Sequence, residues 1–183
     1  MRPITMDQWL ELHKRTLDCV RGALEGLTQE QLLWEQPMLA GQTGEPSCGE
    51  PRPCSLAGLA WHILCAERYW LREVGIQPAF DVPERNEWTL AIFEQALSGV
   101  EEQYERVLSE RSNDPDVLFG LGRVCQHNLS HWKMMEHLRM LQDPDWRQPS
   151  ELSWERAADY MTDLMILGAR APLAAPGSHA DVE

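Results

Sequence analysis

Apolar side chains recur along this chain at intervals of three and four, and alternating β-branched runs joined by hairpin turns are absent, so the period predicts helices throughout. The first stripe, Met6, Leu10, His13, Leu17, Val20 and Leu24, predicts a helix over 6–27 with Thr5 as its N-cap. Between Thr28 and Cys54 stand Pro37, Gly41, Gly44, Pro46, Gly49, Pro51 and Pro53, too many breakers for a long element. Only the start of that stretch, LTQEQLLWEQP, has the pattern of a short helical turn. Ser55 then caps a second long helix to about Val74, closed by Gly75 and Pro78, with Leu59, His62, Ala66 and Tyr69 on its inward line. A third runs from Leu90 to Glu110 with Phe93, Leu97, Val100, Tyr104 and Val107 inward. Asp114 and Pro115 supply the cap and first turn of a fourth, which continues to about Leu141 and stops at Asp143-Pro144. Its inward line reads Val117, Gly120, Val124, His127, His131, Met134, Leu138, Leu141. Trp154, Ala158, Met161 and Met165 predict a fifth helix over 150–167, ahead of a small-residue tail.

The pattern describes an all-α four-helix bundle in one domain, residues 1–168, followed by a disordered tail over 169–183. The connection from Leu27 to Ser55 is long enough to run the length of a helix, so the first two long helices could lie parallel. That arrangement would bring His13 level with His62 as a pocket residue. An antiparallel one would separate them and leave His13 a core or partly exposed histidine.

Charge and composition narrow the function. Sixteen Lys and Arg against 29 Asp and Glu give a net charge of −13, which repels phosphate backbones and anionic lipid surfaces, so neither nucleic acid nor membrane is expected as a partner. No apolar run approaches the length of a membrane span, and the N-terminus is charged and amphipathic rather than signal-like, so the expected location is cytoplasmic. Five cysteines, odd in number and without a CxxC pair, read as small apolar side chains. No GxSxG elbow, Walker A loop or GxGxxG turn is present, which disfavours serine-nucleophile and nucleotide chemistry.

Histidines carry the chemical signal. His127 and His131 are one helical turn apart, so both imidazoles project to one side and can chelate a single ion. His62 occupies the inward line of another helix and completes a three-histidine site if the two helices are neighbours. Three neutral imidazoles suit a divalent zinc, nickel or iron ion and leave coordination positions open. Taken alone, an HxxxH pair is a weak signal, better explained by core histidines hydrogen-bonded to neighbours; with His62 added, the ligand reading becomes the better one. His137 falls on the opposite side and His179 in the tail, so neither is a ligand. Cys65, one turn after His62, is a packing residue that could also approach the ion.

SLAGLAWHILCAERYWL around His62 and QHNLSHWKMMEHLRML around His127 and His131 resemble the DinB/YfiT family. His62, Glu67 and Trp70 match that family's histidine, acidic and aromatic positions, while His127, His131, Leu138 and Arg139 match its H-x3-H helix and following Leu-Arg. The likeness spans roughly residues 6–142. It departs at Lys133 and Met134, where the family often has Gly-Gln. The resemblance implies a metal-dependent bundle, commonly with zinc or nickel, among whose relatives are thiol-dependent S-transferases and a mycothiol-dependent isomerase. The expected function is a metalloenzyme in which His62, His127 and His131 hold the ion, performing hydrolysis or transfer of a low-molecular-weight thiol on a small-molecule substrate, with a homodimer as its assembly. The competing expectation is a binding or scaffold protein whose ion is structural or absent.

Overall fold

The computed structural model describes residues 6–36, 55–111 and 114–148, and all regular structure within them is helical. The expected fifth helix over 150–167, the tail and the Thr5 cap lie outside these residues. Helix α1 spans Met6–Leu24, the short α2 Gln29–Leu33, α3 Leu56–Glu73, α4 Leu90–Glu110 and α5 Pro115–Gln142, with a single 3-10 turn at Arg85–Glu87. Local chemistry sets these limits. Thr28 and Gln31 form a reciprocal capping box on α2, Ser55 Oγ accepts from the Gly58 amide, Thr89 accepts from Ile92, and Asp114 accepts from Asp116 and Val117 with Pro115 in the first turn. After α1 and α3 the chain turns through Gly26 (φ +71°) and Gly75 (φ +73°), left-handed positions that glycine adopts without steric cost.

The four long helices surround one apolar core that includes Leu12, Leu17, Leu59, Ile63, Leu64, Phe93, Leu97, Val124 and Trp132, all fully buried. Helix α5 is the hub, packing most extensively on both α1 and α3, while α4 closes the opposite side against the same two helices. Trp9 lies against Gly122 and Thr16 meets Asn128, so α1 and α5 run in the same direction. Val74 lies against Gly120 while His62 meets His127, so α3 opposes α5.

Helices α1 and α3 are therefore antiparallel, contrary to the parallel arrangement considered from the long connection. Helix α2 explains why. It docks on α3, and the Gln31 carbonyl accepts from Gln142 at the C-terminal end of α5, so the chain re-enters α3 at the end where α1 finished. Helices α3 and α4 form a second parallel pair, since Lys14 meets Glu105 and Arg21 meets Glu94, which sets α4 against α1. Residues 75–89 run back between them, tied down by the Ala79 amide donating to Gln103 Oε1 (2.6 Å), by Phe80 against Gly99 and by Trp88 beside Trp61.

Two inward lines differ from expectation. On α3 the buried positions are Leu56, Ala57, Gly58, Leu59, Ala60, Ile63, Leu64, Glu67 and Leu71, with His62 and Ala66 half-buried and Tyr69 53% exposed. On α5 they are Leu121, Val124, Cys125, Asn128, Leu129, Trp132, Met135, Leu138 and Arg139 as well as Val117 and Gly120, while Met134 and Leu141 are 45% and 46% exposed. A helix gripped by two partners has no single apolar face, so its stripe is too broad for one period to fix its rotation. The consequence is that all three histidines sit at the rim of the core.

Candidate metal centre

His62 enters from the first half of α3, and His127 and His131 from successive turns of α5. The antiparallel contact of these two helices brings the three rings together, with centroids 5.0 Å (His62–His127), 4.6 Å (His62–His131) and 4.3 Å (His127–His131) apart. One nitrogen from each ring can be chosen so that all three lie within 4.8 Å of one another. Among the described residues this is the one group of histidine, cysteine and carboxylate side chains that converges so closely. The Nε2 atoms of His62 and His127 are 3.2 Å apart, close to the roughly 3.3 Å edge that two imidazoles bonded at about 2.0 Å to a tetrahedral ion would span.

Burial keeps two of these rings neutral. Desolvation first, then the positive charge that His131 and His62 would carry, lowers His127 to a pKa of about 3. Desolvation, then His62, lowers His131 to about 4. Both present a lone pair at neutral pH, as a ligand must. The residues present thus fit a divalent ion in donor type, protonation and convergence.

The remaining candidates separate clearly. His137 is exposed. Cys65 is half-buried and does not join the converging group. His13 is fully buried on α1, where its Nε2 lies 2.9 Å from Glu67 Oε1 and its ring 4.2 Å from that of Tyr104. It is a core histidine, as the antiparallel arrangement requires. Sequence reasoning did not find its surroundings: Glu67 and Asn128 are also fully buried, and Asn128 Nδ2 donates to Glu67 Oε1 at 2.6 Å. The available signal was spacing, since Glu67 stands at helical steps between Leu64 and Leu71, and Asn128 between Val124 and Trp132.

About two turns further along the α3–α5 contact, Tyr69, Trp70 and Phe119 stack edge to face, with the Arg123 guanidinium 5.9 Å from the Trp70 ring centre. A cavity of about 480 Å³ lies elsewhere, between α1 and the start of α4. The guanidinium beside it, Arg21, is committed to Asp18, Glu94 and Glu101, so that cavity offers no comparable chemistry.

No family model, curated protein or solved structure matches this chain.

Proposed function

We propose that this chain is a metal-dependent enzyme in which His62, His127 and His131 hold a divalent ion, zinc or nickel, and that it performs hydrolysis or thiol transfer on a small molecule. The observation that carries the reading is the convergence of three imidazoles, two of them held neutral, at a half-buried rim. Three protein ligands leave room for water or substrate, and when bound the ion supplies Lewis acidity there. The segments around His62 and His127 resemble those of the DinB/YfiT family, and we read the fold as that family's four-helix bundle with a low-molecular-weight thiol as a candidate co-substrate. A purely structural ion fits less well, because the apolar core of Leu12, Ile63, Phe93, Val124 and Trp132 closes without it.

The test begins with untagged protein purified without an affinity metal column. Elemental analysis is expected to give about one divalent ion per chain, and activity toward ester, amide or thiol-acceptor panels should disappear on chelation and return on reloading. Protein that takes up no divalent ion even from added zinc refutes the reading.

A further inference from the structure

Resting on the metal-centre reading, we propose that Glu67 is a positioning residue for that centre: its buried carboxyl group pins α3 against α5 in the register that brings His62 to His127. Glu67 is fully buried on α3, five residues after His62. Its Oε1 lies 2.6 Å from Asn128 Nδ2 on α5, and Asn128 directly follows His127. The same oxygen lies 2.9 Å from His13 Nε2 on α1. Asn128 Nδ2 also points to Thr16 Oγ1 on α1 at 3.4 Å, and from α4 the Tyr104 ring packs 4.2 Å from that of His13. His13, Glu67 and Asn128 are all completely buried. Within the apolar core, then, α1, α3 and α5 are joined by directional contacts one residue away from a ligand.

Such a cluster is a poor device for stability. Glu67 Oε2, Asn128 Oδ1 and His13 Nδ1 are buried and have no hydrogen-bond partner among the described residues, so desolvation is only partly offset by the two close contacts. What a buried polar group does well is discriminate between packings. Leu56, Leu59 and Ile63 on α3, and Val117, Leu121 and Val124 on α5, recur every three or four residues. Sliding one helix by a turn, about 5.4 Å, therefore lays apolar side chains on apolar side chains again, and burial alone opposes it weakly. The same slide parts Glu67 from Asn128 and leaves both unpaired in the core, which is strongly opposed. It also carries His62 Nε2 away from His127 Nε2, now 3.2 Å apart. The contact that resists the slide thus preserves the ligand pair, and Glu67 acts through the placement of its helix.

The probe is zinc added to the full chain. The triple variant His13→Leu/Glu67→Met/Asn128→Val removes the whole cluster and fills a similar volume with apolar atoms, so its metal-free form should keep the helicity and urea midpoint of the wild type. With the native register reduced to about a tenth of the population, chelator competition should show zinc bound about tenfold more weakly, because apparent affinity falls with the competent fraction. The indole N–H of Trp132, buried next to His131, should give one nuclear magnetic resonance signal in the metal-free wild type. In the metal-free triple variant that signal should split or broaden, and saturating zinc should restore a single one. Glu67→Gln, which keeps an acceptor for the Asn128 amide, should bind zinc within about threefold of the wild type. Val100→Ala, a cavity in the buried face of α4, should lower the urea midpoint and leave zinc affinity unchanged. Wild-type zinc affinity in the folded triple variant overturns the proposal while the metal centre stands. So does a triple variant that cannot fold, since the cluster would then hold the fold itself, or an equal affinity loss in Val100→Ala, since general destabilisation would then suffice. Failure of the wild-type chain to bind zinc sinks both readings.

Discussion

Acid should destabilise the metal-free protein in a window set by two histidines. In the unfolded chain His127 and His131 take up protons around pH 6.5, whereas in the folded chain desolvation delays them to about 3 and about 4. Between these limits the unfolded state binds more protons, so stability is fully present above pH 6.5 and falls as the pH drops toward 4. Two protons at about 1.4 kcal/mol per pH unit each give a limiting slope of about 2.7 kcal/mol per unit near pH 5. Screening at the half-exposed rim, and the fact that part of each shift comes from the other imidazoles, reduce this to about 1–2 kcal/mol per unit. The depressed carboxyl of Asp114, held down chiefly by Arg111, acts only below its ordinary value of 3.8 and so falls outside the window. Urea unfolding followed by circular dichroism at pH 7, 6, 5 and 4.5, in chelator, measures the limb, and the same series on His127→Gln/His131→Gln should be markedly flatter. A midpoint that does not move between pH 7 and 5 in the wild type, or the same slope in the double variant, would falsify the reasoning.

His131→Ala should lose the ion yet keep its helicity, because the fully buried core is untouched; joint loss of metal and helix by elemental analysis and circular dichroism would mark the ion as a structural staple. In the wild type, zinc at about 1,000 times its dissociation constant should raise the unfolding free energy by about 4 kcal/mol, and a melting temperature indifferent to zinc would contradict binding to the folded state. Trp132→Ala should cost about 3–5 kcal/mol in chemical denaturation, since the indole is completely buried, and a loss under 1 kcal/mol would show that the core is packed otherwise. Ser55→Ala removes the hydroxyl that caps α3 and should cost about 1 kcal/mol while leaving zinc affinity unchanged; a large affinity loss would mean that the start of α3 helps to set His62.

The helices were legible where side chains act locally. Ser55, Gly75, Asp114 and Pro115 mark ends by capping and turn chemistry that depends on a few adjacent residues, and α3, α4 and α5 begin and end within a residue of expectation. The histidine trio was legible too, because a one-turn HxxxH spacing places two rings together in any helix. Rotation of α5 was not, since contact with both α1 and α3 spreads buried positions around much of its circumference. The course of 75–89 was equally hidden: a crossover held by the Ala79 amide on Gln103 leaves no periodic trace. Glu67, His13 and Asn128 become partners only when three helices meet, which no single stretch of sequence records.

The pairing of α1 with α5 sets a timetable for synthesis. Helix α1, on which Leu12, Leu17 and Val20 are fully buried, packs most extensively on α5, whose last turn ends at Gln142. A ribosome adding about 5–20 residues per second takes roughly 6–24 s to pass from Leu24 to Gln142, and during that interval the apolar face of α1 is incompletely covered. Helices α3 and α4 can pair earlier, but the centre formed by His62, His127 and His131 is completed only with the last described helix. The nascent chain therefore leaves α1 incompletely covered until α5 emerges, with His62 waiting over the 65 residues to His127 for its first partner, and it acquires its hub and its ligand set in one closing step.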